Sequence, residues 1–473
     1  MVFSSSLFLL YFLPVFLLLY HCLGKKLKNY IILIASIFFY AWGAPSFVFL
    51  LVPVTVLDFF IVQQIHRSKT QKIKKQFLSL SIFINLGMLA YFKYANFFIE
   101  NVNAVLNSIG IEEVSWTAIA LPIGISFYTF QTLTYSIDVY RKVHPPLNKV
   151  TDYLLYIMSF PQMIAGPIVR FQTIAEQIVE RDEKVDDKLS GAYRFCIGLA
   201  KKVLIANVMA EQADLIFNND LEDISTATAW LGAFAYTFQI YFDFSGYSDM
   251  AIGLGKIMGF KFPENFNSPY TSKSISEFWR RWHITLGDFM REYLYIPLGG
   301  NRVKTKWRLF FNLWIVFLLS GLWHGASWNF VFWGAFHGFF LILDRLFLLK
   351  FLNWIGKIPA MIITFFIVVV GWVLFRLETA EEFTLYLQKM FVFEGGWTWN
   401  TIPAFYTLFV IAIFFSFLVS FKWGKKLQTF FLEKEKYNLK QHAYLAPIML
   451  ALFILSLSSI TASGFNPFIY FRF

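Results

Sequence analysis

Charged residues and cysteines are both scarce in this chain of 473 residues. Only 15% of the residues are charged and 57% are hydrophobic, whereas ordinary soluble domains carry about 25% charged residues. The two cysteines, Cys22 and Cys196, lie in or beside apolar segments, which excludes a disulfide framework and a thiolate metal site. The composition therefore indicates a chain that uses a lipid bilayer as its solvent.

Several catalytic signatures are also missing. The chain has no GxSxG elbow, no HExxH and no CxxC pair, which excludes serine hydrolases and zinc enzymes of those types, and we expect no bound metal. The glycines of GLGKIMG, at 253–259, fit neither a dinucleotide-binding motif nor a P-loop. The net charge of +11 comes from short basic clusters between apolar runs, so we predict no nucleic-acid partner.

What the chain does contain is a series of apolar segments along its whole length, with a mean hydropathy of +0.55. A helix needs roughly 20 apolar residues to cross about 30 Å of hydrocarbon. Twelve segments qualify as spans or partial spans, at residues 7–23, 30–43, 46–64, 77–95, 117–138, 191–217, 228–246, 308–322, 327–347, 359–376, 403–420 and 444–461. We predict an all-α integral membrane protein with about 11–12 transmembrane spans in contact with membrane lipids.

The distribution of charge predicts the orientation of these spans. Lys25, Lys26 and Lys28 directly follow the first apolar segment and no basic side chain precedes it, which is the opposite of a cleaved signal peptide. Positive residues favour cytoplasmic loops, so we predict that the N-terminus lies outside. Alternation then places the basic stretches 66–75, 141–142, 302–308 and 422–426 inside and the acidic stretches 100–113 and 218–223 outside.

Two regions do not read as simple spans. Residues 153–170 are apolar but interrupted by Pro161, Gly166 and Pro167, which predicts a re-entrant or interfacial segment, because freed backbone groups must be buried in protein or line a wet cavity. Residues 247–301 mix polar and aromatic side chains, which is typical of amphipathic helices at the cytoplasmic interface.

His324 is the most informative of the seven histidines. It lies in SGLWHGASWNFVFWG, and no charged residue occurs from 309 to 342. A titratable group at membrane depth usually serves function, and Trp323, Trp328 and Trp333 are placed to wall a site around it. A neutral His324 would accept a proton from an attacking hydroxyl as the general base of an acyl transfer. The alternative is a structural histidine bonded between helices.

A second candidate, His283, lies in EFWRRWHITLGDFMR. Helical spacing places Arg280 and His283 on one face. Arg280 and Arg281, beside tryptophans, suit a phosphate-bearing donor or headgroup, because guanidinium binds phosphate through two parallel bonds and stacks on rings. The alternative is an aromatic and basic anchor at the interface.

The third polar cluster is YFDFSGYSDM, which supplies Asp243 and Tyr247 as candidate substrate-binding residues together with Trp323. Its carboxylates would orient a histidine or bind an acceptor hydroxyl, or alternatively cap a helix end. His337 follows His324 by roughly three and a half helical turns, too far along one axis to share its site, and we predict that it packs between helices. Polar groups at membrane depth and broken helices also fit a polysaccharide or lipid-linked sugar transporter or flippase.

Several long motifs together resemble the membrane-bound O-acyltransferase family. They are, in chain order, FPQMIAGPIVR, DFSGYSDMAIG, FWRRWHITLGDFMREYLYIPLGGNR, SGLWHGASWNFVFWG and the terminal NPFIYFRF. The resemblance covers nearly the full length. Within the family the chain resembles the branch containing the alginate O-acetyltransferase membrane subunit, with the D-alanyl transfer protein of teichoic acids more distant. Glu292 stands where the motif usually has aspartate.

The resemblance implies a polytopic helical fold with a central tunnel that leads to a buried catalytic histidine at His324, and it makes His283 the second motif histidine. It implies a bacterial inner-membrane enzyme with no bound cofactor, which takes an acetyl group from cytoplasmic acetyl-CoA. An extracytoplasmic hydrolase-like acetyltransferase would complete transfer to a polysaccharide. A D-alanyl or lipid acyltransferase is the alternative within this class. We expect one membrane domain, 1–473, comprising N-terminal spans 1–150, a re-entrant and cytoplasmic segment 151–190, a catalytic core 191–350 and C-terminal spans 351–473.

Overall fold

The computed structural model describes residues 1–396 and 401–468, so residues 469–473 of the terminal motif lie outside the described residues. The described part is helical and contains no strand, which confirms the all-α prediction. It divides into two compact units. Unit 1 comprises Met1–Val2, Leu7–Glu183 and Gly259–Phe262, and unit 2 comprises Phe3–Ser6, Lys184–Met258 and the chain from Pro263 onward. The division of the sequence into one domain with four regions stays a prediction.

Unit 1 carries the first nine α-helices of the described residues. These are α1 Leu13–Cys22, α2 Lys28–Gly43, α3 Pro45–Arg67, α4 Gln71–Leu89, α5 Ala95–Ser108, α6 Ile125–Tyr140, α7 Val150–Met158, α8 Phe160–Met163 and α9 Phe171–Val179. The π-helical turn Phe8–Phe12 directly precedes α1, and the π-helical turn Ala90–Tyr94 joins α4 to α5. The predicted interruption at Pro161 is present, because α7 ends at Met158 and a separate short helix begins at Phe160 with Pro161 in its first turn.

Unit 2 carries the remaining α-helices of the described residues. These are α10 Val185–Ala200, α11 Asn207–Phe217, α12 Thr226–Ile257, α13 Ile275–Arg281, α14 Ile284–Phe289, α15 Lys306–His324, α16 Trp328–Leu343, α17 Leu349–Ile355, α18 Lys357–Arg376, α19 Ala380–Phe391, α20 Phe405–Phe417, α21 Lys422–Gln428 and α22 Leu439–Ala462. Shorter π or 3-10 turns are Lys201–Ala206, Pro269–Thr271, Met290–Tyr295, Asp344–Leu348, Leu418–Ser420 and Thr429–Glu433.

Several of these helices have the length and apolarity of membrane spans. Four qualify individually within residues 1–396 and 401–468: Pro45–Arg67, Gln71–Ser108, Lys357–Arg376 and Leu439–Ala462. Phe405–Ser420 and Lys422–Glu433 meet at 103° and add a fifth if they form one broken span. Each of the twelve predicted segments falls on a helix, although the segment 117–138 becomes helical only at Ile125, after a left-handed Gly124. The number of eleven to twelve crossings stays a prediction.

Glycine pairs bring α10 and α12 into backbone contact. A Cβ at Gly198 would lie 2.5 Å from the carbonyl oxygen of Gly246, and one at Gly191 would lie 2.6 Å from that of Gly253. Small residues of this kind let helices approach closely in membrane proteins. The π-helical turn Lys201–Ala206 follows α10 directly, and it presents two adjacent lysines to aspartates of α12.

Candidate active site

His324 is the last residue of α15, at the turn into α16. Glycines hold this helix pair together, because a Cβ at Gly321 or at Gly334 would overlap the backbone of the opposite helix. A Cβ at Gly325, next to the histidine, would overlap the ring of Phe330. These contacts leave the turn little freedom to move, so His324 occupies a fixed position.

Three aromatic rings surround the imidazole of His324, which is only 8% exposed. The ring centroids of Trp323, Trp333 and Phe375 lie 4.9, 5.0 and 5.3 Å from it. The structure thus places two of the three predicted wall residues against His324, whereas Trp328 is 53% exposed. Phe375, from α18, was not found from the sequence because it lies far along the chain.

The helix predicted around His283 is broken at that residue. α13 ends at Arg281 and α14 begins at Ile284, while His283 adopts the left-handed conformation with φ 44° and ψ 53°. That conformation costs a non-glycine residue roughly 1–2 kcal/mol, and such strain clusters at functional sites. The prediction that Arg280 and His283 share one helical face is wrong, because the chain leaves the helix between them.

Asn265 holds this strained turn. Its Oδ1 accepts hydrogen bonds from Nδ1 of His283 at 3.0 Å and from the Thr285 hydroxyl at 2.8 Å, and its backbone carbonyl accepts the Ile284 N–H at 2.9 Å. Because an amide oxygen only accepts, the proton of His283 lies on Nδ1 and Nε2 carries a lone pair. Burial lowers the pKa of His283 to about 3, so the ring is neutral near pH 7.

Trp323 contacts both of the histidines that the sequence singled out. Its ring centroid is 4.9 Å from that of His324 and 5.9 Å from that of His283. Phe244 of α12 packs edge-on against His283 at 4.7 Å. The structure therefore brings His283, Trp323 and His324 into one buried aromatic cluster, although forty residues of chain separate the histidines.

The two arginines predicted to bind a donor lie at the end of α13. Arg281 forms an ion pair with Glu277 at 2.8 Å and donates to the backbone carbonyl of Asn267 at 3.3 Å. Arg280 is exposed. Both therefore lie where the segment that carries His283 reaches the surface of unit 2.

Asp243 and Tyr247 belong to a second buried cluster. The Nζ atom of Lys202 lies 2.9 Å from Oδ1 of Asp243, with both side chains 2% exposed. The Tyr247 ring stacks between Phe3 and Phe468, with centroid distances of 4.5 and 4.7 Å. Lys202 was missed from the sequence, although two adjacent lysines inside the apolar segment 191–217 were a visible signal.

A cavity of about 600 Å³ in unit 2 is lined by residues of α10, α12, α20 and α22. Arg194 donates to Asp249 at 2.8 Å, and Lys201 donates to the same carboxylate at 2.6 Å, so these charges at its polar end are already paired. The rest of the wall is mainly apolar, and Asn265 forms part of it. Asn265, which holds the turn at His283, thus also lines the cavity.

His337 lies closer to the site than predicted. The chain reverses between α15 and α16, so His337 and His324 both pack against Trp333, each with a centroid distance of 5.0 Å. The expectation that helical rise separates the two histidines is wrong for this reason. His337 is fully buried, and within residues 1–396 and 401–468 neither ring nitrogen has a hydrogen-bond partner.

The fold and the site define a class of protein, a helical membrane protein with two buried histidines that both pack against one indole. Residues 34–377 match the model of the membrane-bound O-acyltransferase family, so the chain belongs to that family. It is a membrane O-acyltransferase, which agrees with the enzyme prediction and not with the transporter alternative.

Three relatives show the extent of the similarity. A probable alginate O-acetylase of Pseudomonas aeruginosa is 46% identical over 84% of this chain and 76% of its own length. A probable alginate O-acetylase of Azotobacter vinelandii is 40% identical over 100% of both chains. A peptidoglycan O-acetyltransferase of Helicobacter pylori is 38% identical over 84% of this chain and 80% of its own length.

Proposed function

We propose that this enzyme transfers an acetyl group from a cytoplasmic acetyl thioester, acetyl-CoA, across the membrane for O-acetylation of an extracytoplasmic polysaccharide. The observation that carries the proposal is the buried pair His283 and His324, which both pack against Trp323, in a chain of the O-acyltransferase family. The names of the relatives, two alginate O-acetylases and a peptidoglycan O-acetyltransferase, support an acetyl group and a glycan acceptor.

In the proposed reaction His324 is the general base. An acceptor hydroxyl transfers its proton to the imidazole while its oxygen attacks the thioester carbonyl. The carbon–sulfur bond of the tetrahedral intermediate then breaks, and the thiolate takes the proton back from the imidazolium. The aromatic cage supports this role, because water excluded from it cannot compete as the acceptor.

We assign the donor to the side of His283. The mainly apolar cavity, whose polar end holds paired charges, suits the uncharged amide-containing arm of a thioester better than free phosphates. Arg280 and Arg281, at the surface of unit 2, suit the phosphates of the same donor. Nε2 of His283 has no hydrogen-bond partner within residues 1–396 and 401–468, so it would accept a hydrogen bond from the donor arm, align that arm and take no part in the proton transfer.

The acceptor side involves a partner. We propose that a hydrolase-like acetyltransferase outside the membrane receives the acetyl group and completes its transfer to the polysaccharide. In this arrangement the first hydroxyl activated by His324 belongs to the polymer or to a relay nucleophile. The basic stretches then face the cytoplasm, the N-terminus lies outside, and the enzyme resides in the bacterial inner membrane.

Base-labile acetate on isolated envelope and secreted polysaccharide tests the function. We compare wild type, a deletion, and the deletion complemented with the wild-type gene, and we measure base-labile D-alanine and acylated phospholipid in the same samples. We expect acetate alone to fall in the deletion and to return on complementation. Labelled acetyl-CoA supplied to inverted membrane vesicles, compared with right-side-out vesicles, tests the cytoplasmic entry of the donor.

Loss of D-alanine would instead assign the enzyme to teichoic acid modification, and loss of acylated phospholipid would assign it to lipid acylation. Unchanged acetate in the deletion would overturn the proposed acceptor. Labelling of right-side-out vesicles alone would contradict the direction of transfer.

Replacement of His283 by asparagine tests the roles of its two ring nitrogens separately. The asparagine amide N–H occupies roughly the position of Nδ1, and asparagine tolerates the left-handed conformation, so the bond to Asn265 and the turn are kept while Nε2 is removed. We expect acetyl transfer from acetyl-CoA in inverted vesicles to fall at least about tenfold, chiefly as a raised KM for the donor.

His283→Ala, which loses both nitrogens and the turn, is the comparison, and the quantity of protein in the membrane is measured for each variant. If His283→Asn retains wild-type transfer, the histidine serves only to hold the turn, and the assignment of Nε2 to the donor fails.

A further inference from the structure

The rings around His324 pack against further aromatic rings. Phe375 lies 5.3 Å from the His324 imidazole, 5.1 Å from Trp333 and 4.9 Å from Phe330, measured between ring centroids. Trp333 and Phe330 both come from α16, whereas Phe375 is the penultimate residue of α18. Phe375 therefore packs against the imidazole and against two rings of α16, of which Trp333 also contacts the imidazole.

These walls are held by backbone contacts. The ring of Phe330 lies where a Cβ of residue 325 would be, and the Phe330 carbonyl lies where a Cβ of Gly321 would be. The indole of Trp333 is fully buried and also packs against Trp372 at 6.0 Å. Closely packed interiors accept added volume poorly, because the neighbours have no free space into which to move. Phe330 and Trp333 therefore form a rigid part of the cage.

Phe375 is the wall of the cage that α18 supplies. Its ring packs against Phe330, Trp333 and Trp372, and the chain leaves α18 immediately after Arg376. His324, Phe330 and Phe375 do not line the cavity of about 600 Å³ in the described part of unit 2. An acyl group that extends from a carbonyl beside His324 toward α18 meets the ring of Phe375, whose centroid lies 5.3 Å from that of the imidazole.

We propose that Phe375, supported by Phe330 and Trp333, sets the length of the acyl group that the enzyme transfers, and restricts it to two carbons. This inference rests on the proposed function, because it takes His324 as the base at the reacting carbonyl. A hydrophobic wall discriminates by roughly 10- to 200-fold for each added methylene. Propionyl donors are therefore transferred slowly, and butyryl donors more slowly still.

Transfer from acetyl-, propionyl- and butyryl-CoA in inverted membrane vesicles tests the proposal. The variants are Phe375→Ala, the less disruptive Phe375→Leu, and Phe336→Ala as the matched control. Phe336 is a ring of the same size on α16, and it packs against His337 and Phe340. We expect the wild type to prefer acetyl over butyryl at least about 100-fold.

Phe375→Ala is expected to lower that preference at least tenfold, Phe375→Leu to lower the preference over propionyl, and Phe336→Ala to leave both ratios unchanged. The proposal is overturned if the wild type transfers butyryl as fast as acetyl. It is also overturned if Phe375→Leu, with wild-type quantities in the membrane, retains both ratios. If the wild type transfers no acyl group from any of the three thioesters, the proposed function has failed. If it transfers all three at equal rates, the proposed function stands and only the length selection has failed.

Discussion

Replacement of His324 by alanine is expected to reduce acetyl transfer by a factor of about 10² to 10⁴, the usual contribution of a positioned general base. The imidazole lies within the aromatic cage formed by Trp323, Trp333 and Phe375, and none of these three rings takes up a proton. Without it, the cage has no group that accepts the proton of the attacking hydroxyl. The measurement is the initial rate of transfer from labelled acetyl-CoA in membrane vesicles with matched quantities of protein.

His324→Gln separates chemistry from packing. Glutamine fills most of the volume of the imidazole and forms hydrogen bonds, but it does not take up a proton near pH 7. We expect a loss as large as that of the alanine variant. His66→Ala, at the exposed end of α3, is the control and is expected to keep wild-type activity. A glutamine variant with near wild-type rates would assign His324 a structural role.

Hydropathy predicts the all-α membrane architecture. It does not predict the lengths of all the helices, because some of them depend on ion pairs with residues elsewhere in the chain. The predicted span 228–246 ends within the polar run DFSGYSDM, whereas α12 continues to Ile257. It continues because the carboxylates of that run meet basic partners on the preceding helical segment: Asp249 meets Arg194 and Lys201. Nothing in the local pattern identifies such partners, so the sequence places the end of the span within this run and assigns the residues from 247 onward to the interface.

The candidate site shows the same limit. The sequence singled out His283, Trp323 and His324, because titratable groups stand out in an apolar context. It missed Asn265 and Phe375, which are ordinary residues that gain a role only from what folding places beside them. The left-handed turn at His283 also has no signal in WRRWHITLG, since glycine or asparagine usually occupies such positions.

The pair of Lys202 and Asp243 is expected to carry the second large effect, this time on stability. Both side chains are 2% exposed, and Nζ of Lys202 lies 2.9 Å from the carboxylate while also donating to Asn207 at 2.8 Å and to the Pro467 carbonyl. Removal of one partner leaves the other charge buried without compensation, which costs about 3–5 kcal/mol. We expect Lys202→Met to lower the unfolding temperature of the detergent-purified protein markedly, or to abolish its accumulation in the membrane.

The double variant Lys202→Met with Asp243→Leu is the decisive comparison. Apolar replacement of both members of a buried pair is often neutral or stabilising, so we expect the double variant to recover most of the stability lost by Lys202→Met alone. Arg291→Ala is the control, since that side chain is 58% exposed beside Asp288 and exposed pairs contribute about 0–1 kcal/mol. A stable double variant that still transfers acetyl groups would make the pair structural. A stable but inactive double variant would support the role in substrate binding that the sequence predicts for Asp243.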